Sequence, residues 1–283
     1  MVNMESVKSG TLFLVATPIG NLGDISRRAV QTLESVDFIA AEDTRVTLKL
    51  LGHLGIKKQL VSYYEHNRRE SGERILSRIL SGESCALVTD AGTPAISDPG
   101  EDLVRLCATM CIPMVTIPGP CAAVAALTLS GLKGGRFTFE GFLSTSRKSR
   151  FEHLQELKSE RRTMIFYEAP HKLMRTLTDM LEVFGDRRIT ISRELTKLYE
   201  ETLRFTLSDA VAHFTKQPPR GEFVLVIEGA ADIPAEEIGL ESAAEIAAEY
   251  IKGGISVKDA AKKASEETGL SKNEIYRAIV KRN

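Results

Sequence analysis

The chain has 283 residues, of which 43% are hydrophobic and 27% are charged, and its formal net charge is −1. This composition is typical of a soluble globular protein, and the lack of a long apolar run excludes a membrane-spanning helix. The polar start of the chain has no signal-peptide core, so we expect a cytoplasmic protein. The four cysteines and five histidines lack the spacing of a metal site, and we expect no bound metal.

Short apolar segments alternate with amphipathic segments over the first half of the chain. Strands are predicted at 11–16, 38–41, 60–64, 84–88 and 114–117, and helices at 24–35, 44–54, 70–80, from near residue 99, and at 122–129. Strands that alternate with helices are joined by crossovers, which place them parallel in one sheet. The sequence therefore predicts an α/β domain over residues 1–132, with a mostly parallel sheet covered on both faces.

A second alternating set follows a glycine- and lysine-containing link at residues 131–136. Strands are predicted at 137–142, 163–168, 188–192, 201–206 and 223–227, and helices at 152–158, 171–184 and 210–214. We assign residues 133–232 to a second α/β domain with a mostly parallel sheet, and residues 233–283 to a C-terminal helical unit. Two sheets that present their loop-bearing edges to each other would form a cleft for a small ligand and a larger substrate.

The C-terminal unit contains two capped helices. Ser256 and Ser271 each begin a helix, and each has an acidic residue three positions later, as in a capping box. Apolar residues of these helices face each other across a turn at Gly269, which is the pattern of a helix-turn-helix unit. The second helix is basic, and two interpretations remain open: the unit docks on nucleic acid, or it is a packing or dimerisation appendage.

The loop at residues 89–100 is the most informative feature of the sequence. It follows the buried strand at 84–88, and its glycines and prolines block any regular continuation. It is longer than an ordinary βα connection of about 2–6 residues, and open α/β sheets bind ligands at this end of their strands. The sequence therefore predicts a ligand loop. The absence of G-x-x-x-x-G-K and G-x-G-x-x-G motifs argues against a P-loop nucleotidase and an ordinary dinucleotide enzyme.

Basic residues cluster at three places in a chain of nearly zero net charge. Such clusters suit a phosphate backbone, although each alone is also typical of a solvated helix face. Three clusters together make nucleic acid a candidate partner. The candidate contacts are Arg68, Arg69, Arg147, Lys148, Lys272, Arg277 and Lys281.

Six blocks of the sequence resemble, in chain order, the motifs of one enzyme family. They are residues 17–24, 41–45, 89–100, 117–122, 166–171 and 193–197. Together they are similar to the tetrapyrrole-methylase superfamily of S-adenosylmethionine enzymes. Within these blocks, the residues at 42–45 and 167–171, with the helical tail, resemble its branch of small-subunit ribosomal RNA methyltransferases. The resemblance implies two α/β domains around a cofactor cleft.

The resemblance also implies a cofactor, a product and a set of binding residues. The cofactor would be S-adenosyl-L-methionine, held between the two α/β domains of a cytoplasmic homodimer. The product would be a 2′-O-methylated cytidine ribose in the decoding region of 16S rRNA, with free rRNA or the small ribosomal subunit as partner. The ring of one contact, Phe166, would either pack on adenine or fill the core. The implied cofactor contacts are Pro18, Asp90, Ala91, Gly92, Thr93, Ile96, Ser97, Ala122, Phe166 and Leu195.

Charged residues at strand ends are the candidates for catalysis. The methyl group of a sulfonium is already activated, so the protein has to position a ribose hydroxyl and remove its proton. A carboxylate would accept that proton, while a cation would stabilise the alkoxide or hold a phosphate. For each residue the alternative is an ion-pair network that fixes the loops. The candidates are Glu42, Asp43, Arg45, Glu194 and Lys197.

Two other functions fit the same residues. One is a tetrapyrrole or diphthine-type methylase that shares the cofactor loop, although the basic tail disfavours a small anionic macrocycle as the sole substrate. The other is a non-catalytic rRNA-binding assembly factor. Transfer of labelled methyl groups to rRNA would distinguish an enzyme from such a factor.

Overall fold

The structure is a computed structural model that describes residues 9–231 and 240–282. The chain divides into two compact units, residues 1–229 and residues 230–283. The limits 1–132, 133–232 and 233–283 drawn from the sequence stay a prediction. Within the described residues, no helix is both long and apolar enough to cross a lipid bilayer.

The first sheet is parallel throughout. Its strands β1 to β5 are Leu12–Val15, Phe38–Ala41, Gln59–Ser62, Cys85–Val88 and Met114–Ile117, in the order β3-β2-β4-β1-β5. Its helices α1 to α4 are Arg27–Ser35, Thr44–Leu54, Arg68–Leu80 and Glu101–Thr109. Two separate apolar clusters cover the two faces of this sheet, as its nearly continuous apolar strands require. All the carboxyl ends of these strands lie at one edge.

The second sheet mixes parallel and antiparallel strands. Strands β6 to β10 are Phe137–Phe142, Thr163–Glu168, Arg188–Arg193, Glu201–Thr206 and Phe223–Ile227, in the order β6-β7-β10-β8-β9. Only β6 and β7 pair in parallel, whereas the other three pairings are antiparallel. The two-domain α/β fold is confirmed, but the expectation of mostly parallel pairing is wrong for this sheet alone. The segment between β8 and β9, residues 194–200, is too short for a crossover helix, so these strands form a hairpin.

Helices cover both faces of the second sheet. Helices α6, α7 and α8, at Arg147–Glu156, Pro170–Phe184 and Leu207–Lys216, enclose a core on one face. Helix α5, Ala122–Ser130, follows β5 of the first sheet but packs on the opposite face of the second sheet. Its small residues Ala123 and Ala126 are buried there. Helix α5 therefore carries the chain from the ligand edge of the first sheet to the second.

The C-terminal unit consists of three helices in the described residues. Helices α9, α10 and α11 are Leu240–Lys252, Val257–Thr268 and Lys272–Arg282, packed around a core rich in alanine. The Ser256 hydroxyl accepts a hydrogen bond from the Asp259 amide at 3.2 Å, which confirms the predicted start of α10. The predicted contact between α10 and α11 is confirmed, and α9 completes the core. The predicted start of the tail, at residues 233–239, lies outside the described residues.

Candidate active site

A cavity of 430 Å³ lies between the two sheets. It is bordered by the loops that follow β1, β4 and β5 of the first sheet, and by the ends of β6, β7 and β8 and the start of β10 in the second. Its volume is that of a site for one small ligand. Seven of the residues proposed from the sequence line it: Ala91, Gly92, Thr93, Ile96, Ala122, Leu195 and Lys197.

The loop after β4 is fixed to the loop after β1. Thr17 and Gly92 exchange two backbone hydrogen bonds, with N···O distances of 2.9 and 3.1 Å. Gly92 has φ +86°, and a Cβ there would lie 3.4 Å from Cγ2 of Ile19. These two bonds use the amide hydrogen of Gly92 and one of the two lone pairs of its carbonyl oxygen. What Gly92 supplies is a wall without a side chain, which lets a ligand approach closely.

Two further residues of this loop have a left-handed backbone. Ala95 has φ +65° and Ser97 has φ +63°, although neither is glycine. Such conformations cost of order 1–3 kcal/mol each and concentrate at ligand-binding segments. The strain brings Ile96 to the cavity wall and sets Ser97 against β6, where a Cβ on Gly141 would lie 3.1 Å from the Ser97 hydroxyl oxygen. Ser97 is therefore exposed beside the cavity without lining it.

One aromatic ring on the cavity wall, besides those of Phe142 and Phe223, belongs to Tyr167, which was not among the predicted site residues. Its hydroxyl accepts a hydrogen bond from the Ala123 amide at the start of α5, at 3.1 Å. Burial, reinforced by the Cys121 thiol, raises the pKa of Tyr167 to about 12, so the hydroxyl stays neutral. The neighbouring Phe166 is fully buried in the core on the opposite face of the sheet. Phe166 thus fills the core, and alternation along β7 indicates that Phe166 and Tyr167 face opposite sides of the sheet without indicating which side borders the cavity.

Three carboxylates, Glu42, Asp90 and Asp98, lie at the edge of the first sheet, and none of them forms an ion pair with a described residue. A Glu42 oxygen accepts from the Asp90 amide at 3.3 Å, and an Asp90 oxygen accepts from the Asp43 amide at 3.1 Å. Asp98 lines the cavity near both carboxylates. Burial, together with repulsion from Glu42 and Asp90, raises the pKa of Asp98 to about 7. Burial also raises the pKa of Glu42 and Asp90.

Asp98 lies inside the loop at 89–100 but was not among the predicted site residues. Within this loop the predicted cofactor contacts end at Ser97, one position before Asp98. Its role depends on burial and on two carboxylates that are distant in sequence, so the linear motif gave no signal for it. Within the described chain, Asp98 has no cation within ion-pairing distance.

Asp43 and Arg45 form a structural pair at the start of α2. The Asp43 side chain accepts from the Arg45 amide at 2.8 Å and caps the helix. The Arg45 guanidinium binds both Asp43 oxygens, at 3.0 and 2.6 Å. These hydrogen bonds lower the pKa of Asp43 to about 2. Neither residue lines the cavity and the Arg45 side chain is 86% exposed, so the arrangement matches the ion-pair alternative.

Glu194, Lys197 and Glu222 form a second charged group at the other side of the cavity. The Lys197 ammonium lies 3.1 Å from Glu194 and 2.7 Å from Glu222, and the Glu222 amide donates to Glu194 at 2.9 Å. The hydrogen bond from the Glu222 amide and the side chain of Lys197 lower the pKa of Glu194. The two carboxylates raise the pKa of Lys197 against the effect of burial. Lys197 is therefore a fixed positive charge on the cavity wall.

The remaining predicted cofactor residues lie next to the cavity. Pro18 is half-buried and precedes Ile19, which lines the cavity, and Asp90 precedes Ala91. No described set of three or more histidine, cysteine, aspartate and glutamate side chains is arranged to hold a metal ion. Glu168, at the end of β7, is buried against Lys172 at 3.1 Å and accepts from Thr176, so it fixes the start of α7.

The predicted nucleic-acid contacts differ in their ion pairing. Those of the first unit are paired with carboxylates: Arg68 with Asp102 at 3.2 Å, Arg69 with Glu73 at 3.8 Å, Arg147 with Glu182 at 3.2 Å and Lys148 with Glu152 at 4.0 Å. In α11, Lys272 and Arg277 have no ion pair with any described residue. The side chain of Lys281 lies outside the described part of the structure.

Comparison with known proteins places this fold in one class. The family model for Tetrapyrrole (Corrin/Porphyrin) Methylases matches residues 11–211. A uroporphyrin-III C-methyltransferase from Thermus thermophilus, complexed with S-adenyl homocysteine, superposes with a TM-score of 0.56 and 16% identity, covering 77% of this chain and 97% of the other. A diphthine synthase superposes with a TM-score of 0.58 and 14% identity, covering 77% and 90%. The family model matches most of the chain. The chain therefore belongs to the tetrapyrrole methylases.

Sequence relatives narrow the class further. A relative from Synechocystis sp. is 47% identical over 268 residues, which is 94% of this chain and 96% of the relative. One from Bacillus subtilis is 46% identical over 273 residues, covering 95% and 94%. Both are named ribosomal RNA small subunit methyltransferase I, and within the tetrapyrrole methylases this chain belongs to that family of methyltransferases.

Proposed function

We propose that the chain transfers a methyl group from S-adenosyl-L-methionine to the ribose 2′-hydroxyl of a cytidine in the decoding region of 16S rRNA. The observation that carries this proposal is the cavity between the two sheets, built on the loop at 89–100, in a chain nearly half identical to relatives named as rRNA methyltransferases. The relatives named for tetrapyrrole or diphthine chemistry share the fold at only 14–18% identity. Their resemblance gives no support to those substrates here.

The residues of the cavity fit this cofactor. Gly92 provides a wall that a ligand can approach closely, and Leu195 and Tyr167 provide apolar and aromatic surface for a purine. When bound, S-adenosyl-L-methionine would supply an activated methyl group, so the protein has to orient a hydroxyl and move its proton.

Asp98 and Lys197 are the residues we assign to that proton transfer. Asp98 lines the cavity, and its pKa of about 7 makes it a base at neutral pH. Lys197 lines the same cavity as a fixed cation and would stabilise the developing alkoxide. Glu42 adds to the effect of burial in raising the pKa of Asp98, and Glu194 positions the Lys197 ammonium. Asp43 and Arg45 support the start of α2.

RNA docking belongs, in this proposal, to α11 of the C-terminal unit. Lys272 and Arg277 have no carboxylate partner among the described residues, so their charge is available to phosphates. The paired cations of the first unit have to give up a carboxylate before they can bind a phosphate. We also propose that the protein acts in the cytoplasm as a homodimer on free 16S rRNA or the small ribosomal subunit.

Methylation mapping tests the function. Small subunits from cells that lack the protein are incubated with the purified chain and tritiated S-adenosyl-L-methionine, and labelled nucleotides are identified by mass spectrometry. One ribose-methylated cytidine in 16S rRNA is expected. Binding of rRNA without transfer would instead favour the assembly factor, and label in another nucleotide or in protein would contradict the assigned substrate.

A further inference from the structure

The hairpin loop between β8 and β9, residues 194–200, carries an apolar tip that is open to solvent. Leu198 is 89% exposed and Tyr199 is 70% exposed, the highest values for large apolar side chains among the described residues. This loop is also longer than the hairpin loops of 2–5 residues that are usual. An exposed aliphatic and an exposed aromatic side chain in adjacent positions suggest a contact surface.

The loop is held in a fixed conformation. The Glu200 side chain accepts from the Thr196 amide at 2.7 Å, and the Thr196 hydroxyl accepts from the Asn21 amide of the β1 loop at 3.1 Å. Glu194 and Thr196 have left-handed backbones, with φ +52° and +66°. Gly20 is close against this loop, since a Cβ there would lie 2.5 Å from Cγ of Lys197. The strained and braced loop presents its tip in one conformation.

The tip directly follows the cavity wall. Leu195 and Lys197 line the cavity, and the next two residues are Leu198 and Tyr199. A cavity of 430 Å³ is filled by one cofactor-sized ligand, so a nucleotide has to approach at its mouth. The substrate would therefore meet the surface beside Lys197.

The charges around the tip are already partnered. Glu194 and Glu222 bind Lys197, the Glu200 side chain binds the Thr196 amide, and Glu201 pairs with Arg193 at 3.4 Å. The loop thus offers no free cation to a phosphate. It offers an aromatic face and an aliphatic side chain, which are the groups that bind unstacked bases of single-stranded RNA.

We propose that Leu198 and Tyr199 form a platform on which a base of the RNA substrate stacks, so that the target ribose is held at the cavity mouth. This inference rests on the proposed function. Tyr199 acts here as a substrate-binding residue, and its phenol oxygen is not required for the contact. The platform complements α11, which binds phosphates.

The test compares four variants in methyl transfer to small-subunit rRNA and in binding of S-adenosylhomocysteine. Tyr199→Ala is expected to lower kcat/KM for RNA about tenfold or more, with a smaller loss for Leu198→Ala. Tyr199→Phe, which keeps the ring, is expected to match the wild type. Leu80→Ala, at an exposed leucine that ends α3, is the matched control. Affinity for S-adenosylhomocysteine is expected to stay within about twofold in all four.

Three results would overturn the platform. The first is an unchanged kcat/KM for RNA in Tyr199→Ala, and the second is a loss of S-adenosylhomocysteine affinity in that variant. The third is its conversion from dimer to monomer in sedimentation, which would make the tip a contact between copies of the chain. In each case transfer by the wild type leaves the proposed function standing. A wild type that transfers nothing to rRNA would remove both proposals together.

Discussion

The two charged groups on either side of the cavity contain the same kind of side chain in opposite electrostatic states. Glu42, Asp90 and Asp98 form no ion pair with a described residue, and the pKa of each is raised, with the charge of Arg45 opposing the shift at Asp90. Glu194 and Glu222 share Lys197, and the pKa of Glu194 is lowered. The ionisation of each carboxylate thus depends on its partner. The first group can take up a proton or attract a cation, whereas the second is a fixed ion pair.

Replacement of Asp98 should have the largest effect on catalysis among these carboxylates. Asp98→Asn removes the proposed base and is expected to lower kcat by about 100-fold or more. In the wild type, kcat is expected to rise with pH through about 7, because the ionised carboxylate is the active form. The measurement is a pH profile of single-turnover methyl transfer under saturating cofactor.

Glu194→Gln is the matched variant from the paired group. The pKa of Glu194 is lowered, so it is ionised throughout this pH range and its replacement should leave the midpoint of the profile in place. A midpoint that moves with Glu194 and not with Asp98 would reverse the assignment of the two groups.

Lys197 is the cation of the paired group, and its replacement tests the role of that group. Lys197→Met removes the proposed stabilisation of the alkoxide and is expected to lower kcat about 100-fold, with a smaller effect on cofactor affinity. The variant also leaves Glu194 and Glu222 without their shared cation. Separate measurement of kcat and of S-adenosylhomocysteine affinity checks this. A loss of affinity with normal kcat would place Lys197 in cofactor binding instead.

The basic clusters differ in the same respect, because some of their cations have carboxylate partners and others have none among the described residues. Lys272→Ala with Arg277→Ala is expected to weaken rRNA binding about tenfold and to reduce the salt dependence of log K by about 2. The equivalent double change of Arg68 and Arg69, which are paired with Asp102 and Glu73, should have a smaller effect. Filter binding over a range of salt concentrations tests both. Equal losses in the two double variants would contradict the role of α11.

The smallest expected effect concerns stability. The pKa of Asp98 is raised in the folded chain to about 7, so the folded state resists ionisation that the unfolded state undergoes near pH 4. The stability that protonated Asp98 provides is therefore present below about pH 4 and lost as pH rises towards 7. Asp98→Asn should raise Tm relative to the wild type by about 2–4 °C at pH 8 and less at pH 5, measured by calorimetry. A lower Tm at pH 8 would show that ionised Asp98 is stabilising.

The local sequence pattern predicted the helices and strands well, whereas the pairing of the strands depends on residues that are distant in sequence. The strands at 38–41, 114–117, 137–142, 163–168, 201–206 and 223–227 have the predicted bounds, because each is a short apolar or alternating run between turn signals. Helix α1 begins at Arg27, three residues later than predicted, because residues 22–24 form a 3₁₀ turn and Ser26 caps the helix. The antiparallel pairing of β10 depends on neighbours distant in sequence, which periodicity does not encode.

The features of the site also divide into those that the local sequence predicts and those that depend on contacts between distant residues. The loop at 89–100 was predictable, because its glycines and prolines follow a buried strand. Which of Phe166 and Tyr167 faces the cavity depends on the side of the sheet that α5 covers, and this is set by packing across two sheets. The importance of Asp98 depends on Glu42 and Asp90 approaching it in space. The neutralisation of Arg68 and Arg147 depends on carboxylates from other helices.

A crystal structure of the chain with S-adenosylhomocysteine would show whether the cofactor binds between the two sheets. We expect the ligand in the cavity between the sheets, with its purine against Tyr167 and Leu195 and with the carboxylate of Asp98 left open to the substrate hydroxyl. A ligand bound elsewhere, or one whose amino group occupies Asp98, would contradict the proposed site.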